Sequence, residues 1–195
     1  MNSILKEIGP VPFPKHTGER IYMLPFFQQQ GLPSSLSRWQ PTIDLMLKDV
    51  ITEKPIYLMI DQGIVKAGNT HRRPRPHIDG NWIVETNSHG ASPNPRHRPI
   101  PTHSPWPTHN TQEWAPEALI LASDISACCA YVGEVEGLPS EEGDCSHLDL
   151  SDTRVISFKE RFAYMGNVTM IHESLPVAFD CQRTVVRLNC PGVEF

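Results

Sequence analysis

Residues 153–190 read TRVISFKERFAYMGNVTMIHESLPVAFDCQRTVVRLNC. Four short segments in this stretch, 153–158, 161–164, 167–173 and 183–190, are rich in β-branched and aromatic residues and predict strands. The last of them is the most informative. In Arg183–Asn189 the side chains of Arg183, Val185 and Arg187 share one face, and those of Thr184, Val186 and Leu188 share the other. Two guanidinium groups on one face of an otherwise apolar strand need anionic or hydrogen-bonding partners, because a buried unpaired charge is costly. In 167–173, His172 shares a face with Val168 and Met170, so an imidazole emerges at the end of an apolar row.

Toward the N-terminus the same pattern predicts strands over 56–66, 77–85, 118–124 and 127–134, separated by turn signals such as Asp61-Gln62-Gly63, Asp79-Gly80 and Gly166-Asn167. One helix is predicted. After Ser37, Trp39, Ile43, Leu47 and Val50 recur at three- and four-residue steps, and Pro41 sits early enough for a first turn. Eight strands after one helix, with no βαβ alternation, imply an antiparallel sandwich or jelly roll, mainly β, with the helical segment packed outside.

The chain has 195 residues, the size of one domain, with an N-terminal arm and helix over 1–54 and a strand core over 55–190. Its 19 prolines crowd into two loops. Residues 9–36 read as an arm carrying one short strand, Arg20–Leu24. Residues 86–116 read as a Pro/His-rich insertion at the mouth of the core or in an intersubunit contact. Its His97, His103 and His109 recur every six residues, which extended chain holds about 19 Å apart, too far to share a zinc ion.

Hydrophobic residues make up 39% of the chain and the net charge is −5, which excludes a disordered chain and argues against a dedicated nucleic-acid binder. The clusters Arg72, Arg73, Arg75 and Arg96, Arg98 are local anion sites at most. No apolar run has signal-peptide or membrane-helix length, so the expectation is a soluble, unprocessed, cytoplasmic protein that does not meet a membrane. The five cysteines form no CxxC pair, and the adjacent Cys128 and Cys129 read as small core residues. The Pro-rich arm and loop suit docking in a homo-oligomer or a larger assembly.

The chain lacks a GxGxxG, a Walker loop, a GxSxG elbow and an HExxH helix. What remains is His-x-Asp, present as His77-Ile78-Asp79 and as His147-Leu148-Asp149. On a strand such a pair projects from one face about 6.6 Å apart, a spacing that lets an imidazole and a carboxylate hold one metal ion. His172 is the candidate third ligand. Too little chain separates Asp149 from His172 for the strands a jelly roll needs between early and late ligands, so His77 and Asp79 are preferred and His147 reads as a surface-loop residue.

His77-x-Asp79, a distant His172, Arg183 and then Arg187 resemble the Fe(II)/2-oxoglutarate-dependent dioxygenases. The resemblance covers residues 55–190 and implies a double-stranded β-helix jelly roll. It further implies His77, Asp79 and His172 as the ligands of Fe(II), and Arg183 as the anchor for the far carboxylate of 2-oxoglutarate. Arg187, about 13 Å further along the strand, is expected to meet an anionic group of the substrate. Two other readings stay open at this point: a non-catalytic jelly-roll assembly protein, such as a viral particle subunit, and a cupin-like metal-binding protein. Fold alone does not separate them.

Overall fold

The computed structural model describes residues 1–79, 116–140 and 143–194. Its strands in chain order are β1 (Asn2–Ser3), β2 (Leu5–Pro10), β3 (Arg20–Phe26), β4 (Ile56–Val65), β5 (Glu117–Ser123), β6 (Cys128–Glu134), β7 (Arg154–Ser157), β8 (Phe162–Asn167), β9 (Ile171–Ser174) and β10 (Cys181–Pro191). Between β3 and β4 a 3-10 helix, Ser34–Trp39, runs into α1, Gln40–Met46. The protein is mainly β, and its strand pairs are antiparallel.

The larger sheet has the order β2-β8-β5-β10-β4-β3. In the smaller sheet β6 pairs with β7 on one edge and with β1 and β9 on the other. His77 extends that sheet by one rung, bridging His172 of β9 and, on its outer side, Asp144. From β4 onward the chain therefore passes back and forth between the sheets, except that β6 and β7 follow one another in the smaller one. This crossing puts His77 and β9 opposite β10.

β10 is buried on both faces, and the alternation expected from sequence holds. Val186, Leu188 and Cys190 pack with Leu58, Ile60 and Ile120 against Trp39, Ile43 and Met46 of the helical segment. This cluster seals the outer face of the larger sheet. A second cluster, with Leu121, Ala130, Phe158, Tyr164 and Met170, fills the space between the sheets. Phe158 stacks on Tyr164 with centroids 4.2 Å apart.

The helix is shorter than its apolar spacing predicts: α1 stops at Met46, although Leu47 and Val50 are buried as that spacing requires. The predicted arm also needs correction, because the first ten residues form β1 and β2, and β2 is an edge of the larger sheet. β2 lacks clean alternation, places Lys6 and Glu7 outward and slips register between Glu7 and Gly9, as edge strands often do. The arm strand itself runs to Phe26.

A third difference matters for the site. The predicted strand 167–173 is broken: β8 ends at Asn167, the chain turns through Val168 and Thr169, and β9 begins at Ile171 in the other sheet. Gly166 makes this crossing possible, since a Cβ there would lie 2.2 Å from Met170 Sδ. The predicted strand 77–85 is described only to Asp79, and the 86–116 insertion, apart from Pro116, lies outside the described residues together with Arg96, Arg98, His97, His103 and His109. Among the described residues no helix is long and apolar enough to cross a membrane.

Candidate metal centre

His77 and His172 face each other across adjacent chains: His77 N–H donates to His172 O at 3.0 Å and His172 N–H to His77 O at 2.9 Å. Residues paired in this way project side chains to the same side, and the two rings lie with centroids 4.5 Å apart, tilted by 52°. Each Nδ1 meets a backbone carbonyl, Arg75 O at 2.8 Å for His77 and Met170 O at 3.1 Å for His172. A carbonyl can only accept, so Nδ1 carries the proton and in the neutral ring Nε2 keeps its lone pair. Arg75 turns its carbonyl toward His77 from a left-handed backbone conformation, φ +71°.

Asp79 completes the cluster. Its Oδ1 lies 4.0 Å from His77 Nε2 and its Oδ2 3.5 Å from His172 Nε2, and the candidate ligand atoms of all three residues lie within 4.8 Å of one another. Burial, together with the neighbouring His172, pushes the His77 pKa down to about 3 against the opposing effect of Asp79, which keeps the ring neutral. Burial alone would raise the Asp79 carboxyl, but the Arg187 guanidinium beside it holds it well below the usual carboxylate range. Three electron-pair donors thus converge on one point, the arrangement a divalent cation satisfies.

Arg187 Nη1 donates to Asp79 Oδ2 at 2.7 Å. The ion pair joins residues 108 positions apart, a contact that strand parity alone does not reveal. Arg183, four residues earlier on the same face, is completely buried. Its guanidinium donates to Ser123 Oγ at 3.3 Å, Ser174 Oγ at 3.0 Å, Ala127 O at 2.9 Å and Cys128 Sγ at 2.9 Å. Among the described residues none of its bonds goes to a carboxylate, so the charge is solvated by neutral groups and lacks a counter-ion.

Ser123, Cys128 and Ser174 line the same cavity as His77, Asp79 and His172, a space of about 210 Å³ between the sheets. Its remaining walls include Met59, Leu121 and Val185. Ser123 and Ser174 were not singled out from sequence, although parity was available to find them: Ser174 stands two residues after His172 on β9, and Ser123 two after Leu121 on β5. Cys128 packs against the cluster between the sheets, in keeping with its reading as a small core residue, but it is only half-buried and also lines the cavity. Cys129 is buried, with its thiol 3.7 Å from Glu173 Oε1.

Comparison with family models, with curated proteins and with solved structures found no match for this chain. The case for a site therefore stands on geometry. The second His-x-Asp copy lies elsewhere: His147 is in an exposed turn with Nε2 3.1 Å from Leu138 O, and Asp149 accepts the Ser151 N–H at 2.9 Å. At the cavity rim, Arg72 lines the cavity and pairs with Asp61 at 2.8 Å, a carboxylate also 3.6 Å from the buried His71 Nε2.

Proposed function

We propose that this chain is an Fe(II)- and 2-oxoglutarate-dependent oxygenase that hydroxylates or otherwise oxidises a substrate admitted to the cavity between its sheets. The observation that carries the reading is the His77–Asp79–His172 donor set in a cavity whose wall residues Ser123, Cys128 and Ser174 are bonded to a fully buried Arg183, which among the described residues bonds only to neutral groups. Two imidazole nitrogens and one carboxylate suit iron and leave adjacent coordination positions for other ligands. The strand order supports a double-stranded β-helix: β4, β10, β5 and β8 form consecutive strands of one sheet, and His77, β9, β6 and β7 form those of the other.

His77 and His172 would hold the metal through Nε2, with their orientation fixed by the Arg75 and Met170 carbonyls. Asp79 would contribute a carboxylate oxygen while Arg187 keeps that carboxylate ionised and oriented. Arg183, with the hydroxyls of Ser123 and Ser174, offers a charged donor set for the far carboxylate of 2-oxoglutarate. Met59, Leu121 and Val185 keep water from that part of the cavity. Iron with 2-oxoglutarate, when bound, would supply the two-electron oxidation of a C–H bond coupled to oxidative decarboxylation of 2-oxoglutarate to succinate and carbon dioxide, with dioxygen accepting the four electrons.

A cupin-like site would enlist a glutamate beside its histidines, but the neighbouring Glu173 carboxylate is taken by the Tyr131 hydroxyl. The test is succinate formation from 2-oxoglutarate by the iron-loaded protein in air. Uncoupled turnover that disappears in His172→Ala and Asp79→Ala is expected. Iron binding without turnover would favour a cupin-like or assembly protein, and absence of both would remove the oxygenase reading.

A further inference from the structure

Among the described residues, only one edge of the Arg187 guanidinium is engaged by an oxygen. Nη1 is held by Asp79, whereas the opposite edge, formed by Nε and Nη2, meets none: Nη2 touches the Met23 thioether at 3.4 Å, and the buried Nε has no hydrogen-bond partner among the described residues. Arg187 is only 4% exposed and lines the cavity. A buried N–H without an acceptor is costly, and a thioether is a weak acceptor. Such an edge matches the two oxygens of a carboxylate, sulfonate or phosphate in a bidentate pair.

Met23 reaches this edge by an unusual route. It has φ +51°, a left-handed conformation for a residue with a side chain, and sits where β3 slips register against β4 between Ile21 and Leu24. Bulges and strained residues of this kind re-aim side chains at sites. An unbranched thioether is also easily displaced by a better acceptor. Among the charged groups that line the cavity, Arg72, Arg73 and Arg187 outnumber Asp79 and Glu173, so an added anion is favoured.

We propose that the Nε–Nη2 edge of Arg187 is an oxyanion subsite, covered by the Met23 thioether in the free protein, next to the His77–Asp79–His172 cluster. Two sources supply this chemistry: an oxyanion on the substrate, or the carboxylate of 2-oxoglutarate next to its keto group. Only the naming of these sources rests on the oxygenase reading. The subsite itself can be tested without iron or turnover.

The probe is inorganic sulfate, titrated calorimetrically into the metal-free protein, with the 15N–1H resonance of Arg187 Nε followed in parallel. Saturable binding that moves this resonance is expected. Arg187→Lys keeps a cation for Asp79 but has no second edge, and should bind sulfate at least about tenfold more weakly while retaining the wild-type circular dichroism spectrum. Met23→Ala should bind it more tightly. Repeating the titration with Zn(II) and saturating 2-oxoglutarate distinguishes the sources: persistent sulfate binding assigns the edge to the substrate, and displacement assigns it to 2-oxoglutarate. Absence of saturable binding, a stationary Nε resonance, or equal affinity in Arg187→Lys would overturn the subsite, and unchanged affinity in Met23→Ala would overturn the thioether cover. Loss of metal or 2-oxoglutarate binding alone would count against the oxygenase reading and leave the metal-free result standing.

Discussion

On one face of β10, Val186, Leu188 and Cys190 close against Trp39, Ile43 and Met46; on the other, Val185 and Arg187 line the cavity between the sheets, and the fully buried Arg183 bonds to its wall residues Ser123, Cys128 and Ser174. Both faces are equally buried, yet they are satisfied differently. The helix-side face gains from area removed from water and from close packing. The cavity face carries two guanidinium groups, one tied to Asp79 and the other solvated by two hydroxyls, a thiol and a carbonyl. A strand that needed only stability would place apolar side chains there too, since buried charges are often replaceable by hydrophobic groups without loss. The difference places apolar packing on one side of the strand and buried charge on the other.

The sharpest way to break this comparison is Leu188→Ala, which removes a fully buried side chain from the helix-side face. Urea unfolding should show a loss of about 2–5 kcal/mol, while the folded fraction binds iron with unchanged affinity. Weakened iron binding in that fraction would mean that the two faces are not independent.

Arg183→Ala tests the other face. The proposed carboxylate anchor predicts a fall in 2-oxoglutarate affinity of one to three orders of magnitude, about 1.5–4 kcal/mol, with iron binding intact. Anaerobic titration of 2-oxoglutarate into the iron-loaded variant reads this directly. Normal affinity there, with loss in Arg187→Ala, would exchange the roles of the two arginines.

Gly166 is where the two tasks meet. Gly166→Ala drives a methyl group into Met170, whose carbonyl orients His172. Stability should fall by about 1–3 kcal/mol by thermal melting. Metal affinity should fall as well, by about 10–100-fold, the range seen when a group orienting a ligand is disturbed. A variant that melts early but binds metal normally would show that the turn does not position His172.

The smallest expected effect concerns acid stability. The buried His71 beside Asp61, and the Arg72 guanidinium, lower the Asp61 carboxyl pKa against the opposing effect of burial. A carboxylate with a depressed folded-state pKa stabilises the protein above its unfolded value, about 3.9, and that contribution is lost as pH falls toward the folded value. Asp61→Asn should therefore flatten the fall in melting temperature below about pH 4. An unchanged acid limb would remove Asp61 from the account.

Much of this contrast is legible in the sequence, because parity along Arg183–Asn189 separates the two faces without coordinates. The preference for His77 over His147 likewise follows from counting how many strands fit before His172. The crossing between β8 and β9 is not legible: Val168, Thr169 and Met170 look like strand residues, and only the close approach of Gly166 to Met170 shows why the chain turns there. β2 escapes for the opposite reason, since an edge strand with outward Lys6 and Glu7 has no apolar alternation to read. The groups around Arg183, and the Arg187–Asp79 pair, come from segments far apart in the chain and emerge only when the sheets face each other.

The central claim is that one cavity holds both a metal and a carboxylate-bearing cosubstrate. Its most direct test is an anaerobic titration of 2-oxoglutarate into protein supplied with one equivalent of Fe(II), followed by the visible charge-transfer absorption of the iron–2-oxoglutarate chelate. The account predicts a saturable band in the wild type, no band in His172→Ala, and in Arg183→Ala a band that needs about ten to a thousand times more 2-oxoglutarate. Failure of the wild type to retain iron, or a band of equal strength and midpoint in all three proteins, would contradict it.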